Sequence, residues 1–122
     1  MESAPSSASG SALAAPLMTE LSPALRTRLR ALTTQSRVVL FMKGTPDKPR
    51  CKFSRGMIEL MASNDIRSPA FAAFDILSDD EVRQGLKLYS GKPTFPQLFV
   101  DGRLLGGLDD VKAMSEKGPL AP

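Results

Sequence analysis

RVVLFMKGTPDKPRCKFSRGMIELM, residues 37–61, passes from a strand through a loop into a helix, and that order decides the fold. Arg37 to Met42 is a short, continuous run rich in β-branched and apolar residues, the mark of a strand covered on both faces. Lys43 to Arg50 carries Gly44, Pro46 and Pro49 and reads as loop. A helix is expected to start near Cys51, with Phe53, Met57, Leu60 and Met61 along one face. Upstream, Ser22-Pro23 is an N-cap and first-turn pair. Leu25, Leu29 and Leu32 then recur at helical spacing, with Arg26, Arg28 and Arg30 off that face.

Downstream, a second strand is expected over Phe71 to Ile76. Ser78 and Glu81 have the spacing of a capping box, and Asp79 and Asp80 sit where a helix dipole is positive. Val82, Leu86 and Tyr89 continue that helix on one face. Gln97 to Val100, Asp101-Gly102 and Arg103 to Leu105 form a β-hairpin, because Asp-Gly suits a type I′ turn. A last helix is expected from about Asp109 to Lys117, ended by Gly118-Pro119. The order is α-β-α-β-α-β-β-α. The strand–helix–strand unit implies two parallel strands and the hairpin two antiparallel ones. The predicted class is α/β, a mixed four-stranded sheet flanked by helices on both faces.

A chain of 122 residues is one domain's worth of sequence. Residues 1–20 are rich in Ser, Ala and Pro without periodicity and are expected to be a disordered tail or linker, with residues 21–122 as the domain. No apolar run approaches the roughly 20 residues that a membrane-spanning helix needs. The net charge of +3 is too small to argue for nucleic acid, and the basic residues are not interleaved with aromatic ones. Neither a membrane nor a nucleic-acid partner is expected. The chain has one cysteine and no histidine. An internal disulfide is impossible, which points to a reducing compartment and a cytoplasmic location, although the first twenty residues leave organellar import open. Zinc held by this chain alone and any imidazole-assisted nucleophile are excluded.

Chemistry therefore rests on Cys51. It stands where a loop meets a helix N-terminus, whose free N–H groups and dipole favour a thiolate. Lys43, Arg50, Lys52 and Arg55 are close in sequence and add positive potential. Arg83 and Lys87 lie one helical turn apart and are able to clamp a carboxylate, for which arginine offers a bidentate fork. A cis Phe95-Pro96 bond ahead of a strand would present backbone groups to a ligand. Gly106-Gly107 followed by Asp109 and Asp110 places acids at a helix start, suited to capping or to binding an amino group.

Together these pieces resemble the monothiol glutaredoxins. The matching segments are Phe41 to Pro46, Pro49 to Ser54, Phe74 to Leu77, Glu81 to Lys87, Pro93 to Leu98 and Gly106 to Asp109, within residues 22 to 118. Ser22 to Leu32 and Glu81 to Tyr89 look most like a glutaredoxin repeat of the multidomain, thioredoxin-headed members. The resemblance implies a thioredoxin-like fold and binding of glutathione. Carried over by motif, Cys51 is the active thiol, and Lys43 and Arg83, with Lys87 a weaker candidate, meet the glycine carboxylate. Phe95 gives backbone hydrogen bonds to the tripeptide. Leu108 (through its backbone) and Asp109 take the γ-glutamyl end, and Phe53 packs beside the site.

Many members of that family also bridge a 2Fe–2S cluster between two chains, with Cys51 as the metal ligand here, and hand it to iron–sulfur or iron-homeostasis client proteins. Such a cluster wants four thiolates, and a chain with one Cys reaches four only as a dimer that borrows glutathione. Two residues depart from the family pattern. Lys52 stands where the motif after the cysteine has glycine, and Lys92 where tryptophan is usual. Three functional readings follow, in this order: a cluster carrier, an enzyme of glutathione-dependent thiol exchange, and an interaction domain without chemistry. Ser54, where dithiol members carry a second cysteine, argues against a two-cysteine reductase.

Overall fold

A computed structural model describes residues 20–118. The expected tail (apart from Glu20) and the stop at Pro119 lie outside the described residues. Four helices and four strands follow in the predicted order: α1 (Pro23–Thr33), β1 (Val38–Met42), α2 (Lys52–Ser63), β2 (Ala72–Asp75), α3 (Asp80–Ser90), β3 (Gln97–Val100), β4 (Arg103–Gly106) and α4 (Leu108–Lys117). A single 3₁₀ turn, Ile76–Ser78, joins β2 to α3.

The strands form one sheet in the order β2-β1-β3-β4. β1 pairs parallel to β2, with Phe41 opposite Phe74, and antiparallel to β3, with Leu40 opposite Leu98. β3 and β4 close the antiparallel edge, where the register shifts between Leu98 and Phe99. Asp101 and Gly102 have φ of 52° and 80°, the left-handed pair that a type I′ turn requires.

β1 is central, and successive side chains of a strand point to opposite faces, so its residues divide between two cores. Val39 and Phe41 face α1 and α3, meeting Leu25, Leu29, Val82 and Leu86 with Phe99. Leu40 and Met42 face α2 and α4, meeting Met57, Met61 and Val111 with Leu98. The sheet is mixed and covered on both faces, as expected of a thioredoxin-like fold.

Three local expectations are corrected. The cap of α3 is Asp79, whose carboxylate accepts the Val82 N–H at 3.1 Å. Ser78 instead donates its hydroxyl to the Asp75 carbonyl at 2.6 Å, because the 3₁₀ turn uses that residue before α3 begins. Asp79 also holds Arg28 of α1 at 2.6 Å, an interaction that ties the two helices and that no local pattern announces. Phe53 leaves the apolar face assigned to it in α2: it is 53% exposed, and Ser54 takes the buried position one residue later. At the last helix, α4 starts one residue early, at Leu108, because Asp110 reaches back to accept the Gly107 N–H at 3.0 Å.

Candidate functional site

Cys51 is the N-cap of α2. Its backbone is extended (φ −151°, ψ 154°), and Sγ accepts the Ser54 N–H at 3.3 Å. This is the place where the first turn of a helix leaves its N–H groups without intrahelical partners. The buried Ser54 hydroxyl lies 3.6 Å from Sγ and accepts the Lys43 N–H at 3.0 Å, so its own proton is free to point at a thiolate. The loop of residues 43–50 is closed on itself: Arg50 N–H donates to the Lys43 carbonyl at 2.8 Å, and Gly44 N–H to the Asp75 carboxylate at 2.9 Å. The end of β1 and the start of α2 are thus pinned together, with Lys43 beside Cys51.

Partial burial pushes the Cys51 thiol up, but its hydrogen bonds outweigh that. The Ser54 N–H and hydroxyl, the Phe53 N–H and the charge of Lys43 together hold it below the ordinary thiol value. The expected activation is therefore present, with a corrected cause. Hydrogen bonds at the helix start lead, and Lys43 is the cation that contributes. Lys52 sets its ammonium 5.3 Å from the centroid of the Phe53 ring, a cation–π contact.

The alkylation rate of Cys51 should accordingly titrate with a midpoint below about 8.5, the ordinary thiol value, and Ser54→Ala should raise that midpoint. A midpoint at or above 8.5 in the wild-type chain would refute the assignment. The linkage has a definite sign. A thiol titrating lower in the folded chain adds stability above its unfolded pKa, and that stability is lost as pH falls through the folded value.

A groove of about 520 Å³ opens next to this thiol. One wall is α3, which presents Arg83 and Lys87. Lys43 and Phe53 come from the Cys51 end, Thr94, Phe95 and Pro96 from the segment before β3, and Leu108 and Asp109 from the start of α4. The Phe95–Pro96 peptide bond is cis. All seven residues expected to bind a ligand line this one groove. Cys51 itself does not line it but adjoins it through Lys43 and Phe53. Among the described residues Lys43, Arg83 and Lys87 have no carboxylate partner, and the buried Nε of Arg83 has no hydrogen-bond partner. A buried donor left unmade is costly, and an anion in the groove would satisfy it.

Three further residues take part in ways that the sequence reading gives only in part: Asp110 enters as a capping acid, which it is, and Lys92 as a departure from the family pattern. Ser54 enters only as a missing second cysteine, although an N-cap side chain bonding the N–H three residues on is a known spacing. Lys92 and Asp110 also line the groove and pair with each other, Nζ to Oδ2, at 3.4 Å.

A mixed sheet with a lone thiol capping the helix after its first strand defines a thiol-handling domain of thioredoxin-like fold. The family model described as Glutaredoxin matches residues 38–105, and the chain belongs to the glutaredoxin family. Its single cysteine fits the monothiol type. Glutaredoxin-3 of Bos taurus is 51% identical over 100 residues, 82% of this chain and 29% of that protein. Monothiol glutaredoxin-4 of Schizosaccharomyces pombe is 48% identical over 96 residues, 79% of this chain and 38% of that protein. The chain thus spans well under half the length of these curated relatives. Among solved structures, reduced poplar apo GrxS14 is 44% identical with a TM-score of 0.65, covering 80% of this chain and 87% of that one. A buckwheat glutaredoxin–glutathione complex has a TM-score of 0.67 at 20% identity, over 80% of this chain and 84% of that one, a likeness of fold.

Proposed function

We propose that the domain binds glutathione in this groove and shares a 2Fe–2S cluster between two copies, delivering it to iron–sulfur or iron-homeostasis client proteins in a reducing, glutathione-rich compartment such as the cytoplasm. The observation that carries the reading is the juxtaposition of a stabilised thiolate with a groove in which Lys43, Arg83 and Lys87 lack carboxylate partners among the described residues. Glutathione has a carboxylate at each end, an ammonium group at the γ-glutamyl end and a thiol between them. Arg83, Lys43 and Lys87 suit its glycine carboxylate, Phe95 offers backbone to its middle, and Leu108 N–H and Asp109 suit its γ-glutamyl end.

The donor set is one that a shared cluster would use. Cys51 is the single cysteine of the chain and is half-buried, so a cluster held by four thiolates would take Cys51 from each of two chains and two glutathione sulfurs. Anaerobic reconstitution with iron, sulfide and glutathione tests this. Visible cluster absorbance and a dimer-sized gel-filtration peak should appear together, and both should require glutathione. Colourless, monomeric protein under those conditions would reject the cluster.

The lowered thiol pKa of Cys51 supports a second activity, protein deglutathionylation. The Cys51 thiolate attacks the glutathione sulfur of a protein mixed disulfide, the protein thiolate leaves, and Cys51 becomes glutathionylated. A second glutathione thiolate then attacks that sulfur, releasing glutathione disulfide and restoring Cys51.

Both activities need the groove. Arg83→Ala should weaken glutathione binding by about 1.5–3 kcal/mol, the usual worth of a hydrogen bond to a charged group, and Lys43→Ala, which removes a point charge rather than a bidentate fork, by less. Calorimetry that finds neither change altering affinity would overturn the assignment of this groove.

A further inference from the structure

Lys92 lies at the acidic end of the groove, paired with Asp110. Its backbone is fixed on both sides: the N–H donates to Ser90 Oγ at 3.1 Å, and the carbonyl accepts from the wholly buried Gln97 side chain at 2.8 Å. Its stem lies across the α4 start. A Cβ placed on Gly107 would come within 2.9 Å of Lys92 Cε and 3.3 Å of the Pro96 carbonyl, so the absence of a side chain there makes the channel that the lysine occupies. The ammonium ends 3.4 Å from Asp110, longer than the roughly 2.7–2.9 Å of a close charge-assisted bond. Asp110 is meanwhile committed elsewhere, since the same oxygen accepts the Gly107 N–H at 3.0 Å. Losing Lys92 would not leave that carboxylate unpartnered. The Gly107 N–H and Lys92 together hold the Asp110 carboxyl below its ordinary value, the N–H first, and only a third of the Lys92 side chain is exposed.

We propose that Lys92 is a specificity-determining residue of the groove, its ammonium exchanging Asp110 for the α-carboxylate of a γ-glutamyl thiol. The proposal rests on the glutathione reading and deepens it. With Arg83 and Lys43 on the glycine carboxylate and Asp109 on the ammonium group, the α-carboxylate is left to the Leu108 N–H at the start of α4, and a cation beside that N–H would hold it more tightly. Lys92 is the lysine at the α4 end, against Gly107 and Asp110, in the groove that Leu108 and Asp109 also line. Thiols lacking that carboxylate would leave Lys92 on Asp110 and gain nothing from it.

The test is a cycle between protein and ligand, read by calorimetry. Glutathione is compared with γ-aminobutyryl-cysteinyl-glycine, which lacks only the α-carboxylate, on the wild-type chain, Lys92→Met and Lys92→Arg. The wild type should prefer glutathione about tenfold more strongly than Lys92→Met does, and Lys92→Arg should keep most of that preference. An equal preference in wild type and Lys92→Met overturns the proposal while leaving the glutathione groove intact. If that equality came with a lower melting temperature, Lys92 would be an anchor for α4 and nothing more. Failure of the wild-type chain to bind either thiol overturns the glutathione reading and this proposal with it.

Discussion

Cys51→Ser is expected to reduce thiol exchange to background and to abolish cluster loading, with little change in melting temperature. A hydroxyl oxygen is an excellent N-cap, so serine at this position can still accept the Ser54 N–H and hold the first turn of α2. What it cannot supply is a thiolate: the hydrogen bonds and the Lys43 charge that stabilise the sulfur anion are too weak to ionise an alcohol near neutral pH. Cys51→Ala should be equally inactive but should also lose the cap, at about 0.5–2 kcal/mol. Measuring exchange, visible absorbance after reconstitution and thermal melting on both variants separates the chemical task of the sulfur from its structural one. Wild-type exchange rates in Cys51→Ser would place the chemistry elsewhere and end the present reading of the site.

The largest effect on stability is expected at Phe41. Its side chain is fully buried in the central strand, with the Phe99 ring edge-on at 5.4 Å and Phe74 at 5.8 Å. Phe41→Ala removes one buried aromatic ring and leaves a cavity between β1 and the α1–α3 layer, a change that typically costs about 3–5 kcal/mol. In a domain of this size that corresponds to a melting temperature lower by about 12 °C or more. Lys43 lies two residues further along the same chain, so partial unfolding of β1 would release the site as well. Denaturation showing a loss under about 1 kcal/mol would mean that the cavity collapses freely and that β1 is not the seat of the core.

Both predictions start from features legible before any coordinates. The apolar run of β1 has too few polar residues to face water on either side, which forces a central strand and with it helices on both faces. Asp101-Gly102 specifies its turn because its backbone angles suit few other residue pairs. Cys51, with no histidine or second cysteine to assist it, had to draw on a helix N-terminus, and α2 begins at the next residue.

Other features depended on distance in space rather than in sequence. Asp79 displaced Ser78 as the α3 cap because a turn used Ser78 first and because Arg28, fifty-one positions earlier, was brought against it. Phe53 turned outward and Ser54 inward because the hydroxyl was needed between Cys51 and Lys43, a demand created by packing the end of β1 against α2. The charge pattern near Cys51 overstated its cations for the same reason: of four basic residues close in sequence, Lys43 is the one whose charge counts among the leading influences on the sulfur. Local sequence determined which elements form, because propensity, capping and periodicity act over a few residues. Which charges meet, and which donor stays unpaired in the groove, was decided only when the sheet closed and brought distant segments together.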